Sequence, residues 1–222
     1  MQSHRRFADH PSHTYPTVLE HACFISFSRG QGKDSLFANC FFDEFCEHLA
    51  ALDKTLSVFK YDRCDHRQQG AAWDAWIQRE LCHSAMMIAI CAPNYFQGSP
   101  GCVSEFRGME QLIVQRSRVL TTASADWLVA LRLKGNAEMP LLAPYNVLDF
   151  LDCFATPNSV RRIKRHRQSV ERLADRVHQH WVWLHEQDRH LALHNADICS
   201  AFSLPPADMP HRDTFPRLGT VP

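Results

Sequence analysis

The chain has 222 residues, 45% of them apolar, 22% charged and 10% aromatic, a composition that excludes a disordered or fibrous protein and suits one α/β domain with a helical appendage. Lys plus Arg and Asp plus Glu each number 24, so no global field draws the protein to nucleic acid or to an anionic membrane. The longest apolar runs, such as Ala85 to Ala92, fall far short of the ~20 residues of a membrane helix, and the first residues lack the apolar core of a signal peptide. The expected address is therefore the cytoplasm. Nine cysteines form no Cys-x-x-Cys pair, and Cys23, Cys40, Cys46 and Cys91 sit in apolar segments where they read as small core residues of a reducing compartment. No cysteine pair has structural-zinc spacing, and the His-x-x-x-His pair His190 and His194 lacks accompanying ligands, so no metal is expected.

Residues 1–20 are polar and without period, and are expected to be a flexible lead-in. ACFISF, bounded by SRGQGKD, has the form of a buried strand followed by a loop. Phe37, Phe41, Phe45 and Leu49 recur at four-residue spacing and predict a helix over Ser35 to Leu52. Leu56 to Asp62 follows as a second strand. Trp73, Ile77 and Leu81 place a second helix at Ala72 to His83.

The run Ala85 to Pro93 reads as a central parallel strand covered on both faces. Cys102, Phe106, Met109 and Ile113 predict a helix reaching about Ser117. An extra helix is expected around Trp127 to Leu133. The next strand candidate, Met139 to Val147, is weakened by Pro140 and Pro144. Val170, Val177 and Leu184, with Ile163, Leu173 and Trp181, predict a last helix over Ser159 to Glu186, and the tail after Ser203 is Pro-rich.

Alternation of strands and helices implies one central parallel sheet with helices on both faces, a three-layer flavodoxin-like fold with a C-terminal helix. The domain reading is 1–20 flexible segment, 21–150 α/β domain, 151–202 C-terminal helical extension and 203–222 tail. The basic stretch Arg161 to Arg167 reads as the wet face of a helix, offset by Glu171 and Asp175. The histidines from His178 to His194 lack the glutamate of a metalloprotease pattern.

Ligands of open parallel sheets bind at the carboxyl ends of strands, which directs attention to the loops after Phe27, Asp62 and Ala92. FISFSRG stands at the first, Asp62 with Gly70, Trp73 and Ile77 at the second, and Ser99-Pro-Gly-Cys-Val-Ser-Glu105 at the third. In this order over residues 22–116 they resemble the TIR domain. The third motif departs from the family in Gly101, where a tryptophan is expected, and strand three ends in Ala92 where a serine is frequent.

The resemblance implies a bacterial, NAD-cleaving TIR enzyme of Thoeris-like antiphage defence. It would take NAD as substrate, need no cofactor or metal, and be either a hydrolase or an ADP-ribosyl cyclase yielding a cyclic ADP-ribose-type signal. It also implies self-association through TIR surfaces and a separate sensor or effector protein. Glu105 is the implied catalytic residue. A carboxylate suits this reaction, because nicotinamide is already a cationic leaving group and the ribose gains oxocarbenium character; the plain alternative is an acid favoured in the first turn of a helix.

Ser28 and Arg29 follow Phe27 where a phosphate or ribose would lie, and Arg29 suits a diphosphate. Asp62 closes strand two, Trp73 is either a stacking surface or core, and Tyr95 and Phe96 either wall the nicotinamide or anchor their loop. The non-catalytic alternative is a TIR–TIR interaction module. A flavodoxin-like phosphoacceptor lacks the paired acids at the end of strand one that magnesium would need.

Overall fold

The computed structural model describes residues 19–28, 33–61, 71–92, 95–120, 127–133, 142, 145–151 and 165–206, with the side chains of 33–34, 71–72 and 188–193 excepted. In chain order these hold β1 His21–Phe27, α1 Lys33–Leu52, β2 Val58–Lys60, α2 Ala71–Cys82, β3 Ser84–Cys91, α3 Pro100–Leu120, β4 Leu128–Arg132, β5 Asn146–Asp149, α4 Arg167–Glu186 and α5 Asp188–Ala201. The five strands pair in parallel in the order β2-β1-β3-β4-β5. This is the doubly wound, flavodoxin-like order, in which the chain reverses direction across the sheet between β1 and β3.

Strand period explains how one sheet builds two cores. Along β3, Met86, Ile88 and Ile90 enter one core while Met87, Ala89 and Cys91 enter the other, since alternate side chains leave opposite faces. The whole of β3 is buried, as its unbroken apolar run predicts. On the first face lie α1 and the first half of α4. Phe37, Phe41 and Phe45 stack with centroids 6.1 and 5.6 Å apart, and Val170, Leu173, Ala174 and Val177 of α4 share their core. On the second face lie α2, α3 and α5, together with Leu184 from the end of α4. The C-terminal helices thus complete both helical layers.

Two expected elements are corrected. Trp127 to Leu133 contains a strand, β4, and not a helix. Leu128 and Ala130 enter one core, Val129 and Leu131 the other, so the segment has period two; a segment of seven residues is too short to show a helical period on its own, and the slot beside β3 decides the conformation. The strand sought within Met139 to Val147 starts at Asn146 and runs to Asp149, beyond both prolines, which lack the N–H a ladder requires.

Other boundaries shift. The second strand narrows to Val58–Lys60. The third helix starts two residues early at Pro100, because a proline needs no N–H partner at the first helical position. The last helix begins at Arg167 within the described residues, and a separate α5 follows Gln187; residues 159–164 lie outside those described, as do residues 1–18 and 207–222. Of the basic stretch, Arg167 is described and bonds Glu171 Oε1 at 3.0 Å. No helix among the described residues is long and apolar enough to cross a membrane.

Cys23, Cys40, Cys46 and Cys91 are free thiols, as expected of small core residues. Cys82 is different. It forms a disulfide with Cys199, 117 residues away, joining the end of α2 to α5, a pairing that no local spacing announces and that corrects the expectation of thiols throughout.

Candidate functional site

Period two in β1 selects which side chains face α3. Phe24 belongs to the α2/α3/α5 core, Cys23 and Ile25 to the other, so Ser26 points the same way as Phe24. On α3, Cys102, Phe106 and Met109 are buried against the sheet, and Glu105 falls within the same stripe. The helix starts immediately before them, with Val103 N donating to Ser99 O at 3.2 Å and the Ser99 hydroxyl 3.0 Å from the Cys102 sulfur.

These two elements bring a carboxylate to a hydroxyl. The Ser26 hydroxyl donates to Glu105 Oε2 at 2.6 Å, and Tyr95 Oη lies 2.7 Å from the same Ser26 oxygen. Because the serine proton is directed at Glu105, the phenol is the donor in the second bond, forming a relay Tyr95 → Ser26 → Glu105. Tyr95 is fully buried, Ser26 is 1% exposed and Glu105 6%. Burial pushes the Tyr95 phenol well above its ordinary pKa, helped by the nearby Cys102, Cys91 and Glu105, so it stays protonated and keeps its donor role. Burial likewise raises the Cys91 thiol, with Cys102 adding to the shift. Cys91 thus stays in its thiol form within the core.

Around this relay stands an aromatic shell. Phe96 meets Tyr95 edge-on at 4.9 Å and Phe106 at 5.2 Å, and Phe106 meets Tyr145 at 5.4 Å. Tyr145 in turn hydrogen-bonds Glu110. The Tyr95–Ser26–Glu105 relay lies at the carboxyl ends of β1 and β3, where Ser26 pairs with Ala89 and Phe27 with Ile90. That is the crevice where the winding of an open sheet reverses and ligands enter.

The structure thus gathers Glu105 and Tyr95, with Phe96 as packing behind them. Ser28 is buried at the end of β1 and Phe27 half-buried. Trp73 joins another aromatic group, 4.0 Å from Tyr61 and 5.0 Å from Trp76, which accords with packing. Arg29 and Asp62 lie outside the described residues. Gly101 is exposed, and a Cβ built on it meets nothing within 4 Å, so a side chain there would have open space. The residue that sequence reading left out is Ser26. Its signal was available, since the parity of the strand puts it on the face that receives the next helix at the carboxyl end.

Among the described residues, one group could bring three metal-ligating atoms together, Glu20, His21 and Glu80, within 4.8 Å. It lies at the amino ends of β1 and β3, remote from the crevice in the sheet. Arg79 already bridges it, reaching Glu20 at 2.7 Å and Glu80 at 2.5 Å, so one guanidinium offsets part of its charge. Comparison with family models, curated proteins and solved structures gave no match.

Proposed function

We propose that this protein is a TIR-type enzyme that cleaves the bond between nicotinamide and ribose in NAD, with Glu105 as the catalytic carboxylate. The observation that carries the reading is Glu105 itself, a buried carboxylate accepting the Ser26 hydroxyl at 2.6 Å in the crevice between β1 and β3. In the reaction, the C1′–N bond breaks and its electron pair leaves with neutral nicotinamide, while the ribose carbon becomes electron-deficient. A carboxylate in a dry, low-dielectric setting stabilises that positive charge without having to reorganise. Ser26 donates to the Glu105 carboxylate and Tyr95 in turn donates to Ser26, an arrangement that fixes the orientation of the carboxyl group.

The electron-deficient carbon is then captured by water, giving ADP-ribose and a proton, or by a nucleophilic atom of the same ADP moiety, giving a cyclic isomer. The cyclic product is the reading preferred here, as a signal in prokaryotic antiphage immunity made in the cytoplasm. The same reading includes self-association through TIR surfaces and a separate sensor or effector. The test is NAD consumption by the wild type and by Glu105→Gln, which keeps shape and can still hydrogen-bond Ser26. Turnover is expected to fall at least a hundredfold, since charge stabilisation of this kind is worth about 3 kcal/mol. A folded variant that consumes NAD at the wild-type rate would overturn the assignment.

One observation favours a second reading, a non-catalytic module that assembles with other TIR domains. Gly101 leaves the entrance to α3 without the aromatic surface of the family pattern. NAD left intact by concentrated wild-type protein, together with its activating partner, would select this reading.

A further inference from the structure

The disulfide sits in a polar node that ties three helices to the start of β3. Arg116 of α3 is fully buried. It donates from Nη2 to the carbonyl of Cys82 at 2.5 Å, from Nη1 to that of Ser84 at 2.8 Å and from Nε to Asn195 Oδ1 at 3.3 Å. The same Asn195, one turn before Cys199 on α5, donates from Nδ2 to the Cys199 sulfur at 3.4 Å. Both halves of the disulfide are therefore held by one guanidinium and one amide.

Just beyond the bond, residues 202–206 form a strap across α2 and α3. Gln78 binds its main chain on both sides, donating to Phe202 O at 2.6 Å and accepting from Leu204 N at 3.3 Å. Gly108 of α3 makes room for it, for a Cβ there would lie 2.9 Å from Leu204 and 3.1 Å from Phe202. Arg107 adds a bond to Pro206 O at 3.5 Å. Gly108 stands three residues after Glu105, so the strap presses on the turn of α3 that follows the carboxylate.

We propose that Cys82–Cys199 is a reversible redox clasp, whose reduction by a dithiol releases α5 and the strap from α3. Cys199 is half-buried while Cys82 is 1% exposed, so a reductant thiolate attacks the Cys199 sulfur. A mixed disulfide forms there and Cys82 leaves as a thiolate that takes up a proton. The second thiol of the reductant then displaces Cys199, so that two electrons pass to the protein and the reductant becomes a disulfide. Asn195 keeps a donor toward the Cys199 sulfur and Arg116 keeps the Cys82 segment in place, which leaves the pair set for closure. The clasp is independent of the reaction assigned to Glu105, and its test reads structure and not turnover.

The experiment compares oxidised protein with protein in dithiothreitol, by mass spectrometry of alkylated cysteines and by amide hydrogen exchange, with Cys199→Ser as a second form lacking the bond. Alkylation is expected at Cys82 and Cys199 only after reduction. Exchange in 195–206 and in the first turns of α3 is expected to accelerate at least tenfold, to stay unchanged in β1 and β3, and to return on re-oxidation. The proposal is overturned if both cysteines alkylate without reductant, or if reduction leaves exchange in 195–206 unchanged. Loss of protection throughout β1 and β3 would also overturn it, because the bond would then be a structural staple.

Discussion

Ser26 and Glu105, 79 residues apart, meet through a hydrogen bond of 2.6 Å that joins the end of β1 to the first turns of α3. Removing the hydroxyl takes one hydrogen bond from a buried carboxylate, and bonds to charged groups are worth about 1.5–3 kcal/mol. Ser26→Ala is therefore expected to unfold at lower urea and to turn over NAD at least tenfold more slowly. Tyr95→Phe removes only the outer donor and is expected to retain the fold with a smaller loss of turnover. Equilibrium denaturation alongside nicotinamide release measures both; equal activity in all three proteins would sever the relay from the reaction.

Gly101 offers a gain-of-surface experiment. Its Cβ direction is open and the residue is exposed, so Gly101→Trp is expected to fold with stability within about 1 kcal/mol of wild type, alanine-like propensity gains offsetting the ordering of the side chain. Under the proposed cleavage of NAD, an aromatic wall at this point would favour a folded-back ADP moiety over water. The ratio of the product lighter than ADP-ribose by one water is expected to rise. Separation of nucleotides by mass and retention reads it, and an unchanged ratio would show that Gly101 lies away from the ADP path.

Gly108→Ala tests the strap. A methyl there would stand 2.9 Å from Leu204, 3.0 Å from Leu81 and 3.1 Å from Phe202. Overpacking of this kind costs about 1–3 kcal/mol, against a helix-propensity gain of about 1 kcal/mol. Net destabilisation near 1 kcal/mol is expected, with faster proteolysis after residue 201. Leu204→Ala in the same chain removes the nearest atom and is expected to restore part of the loss, a coupling that a double-mutant cycle in urea measures.

His180 makes stability depend on pH. Burial, with Arg116 and Arg176 nearby, depresses its pKa to about 4, and its Nε2 has no hydrogen-bond partner among the described residues. Between about pH 4 and the ordinary value near 6.5, the unfolded chain binds a proton that the folded chain refuses, so stability falls as pH falls through this window. The contribution is of the order of 3 kcal/mol between its two ends. His180→Phe, which keeps a ring beside Trp127 and Trp183, is expected to flatten the profile. Urea unfolding of both proteins at pH 7.0 and 4.5 gives the difference; parallel profiles would remove His180 as the cause.

Elements with long or fully apolar patterns were legible before the fold was seen. The stripe from Phe37 to Leu49 implied α1, the run around Met86 to Ile90 implied the central β3, and the strand–helix alternation implied a parallel sheet between two helical layers. Burial writes a period into a segment, and a period of sufficient length identifies the segment unaided. Glu105 was marked by the resemblance of the motif after the third strand, since its position alone suits equally an acid in the first turn of a helix. Leu128–Arg132 is too short for its period to speak, and the vacant edge of β3 made it a strand. The Ser26–Glu105–Tyr95 relay and the Cys82–Cys199 bond depend on register and on crossings between segments 69 to 117 residues apart. Only tertiary packing decides such pairings, because the atoms that meet belong to elements whose separate patterns would be satisfied equally well by other neighbours.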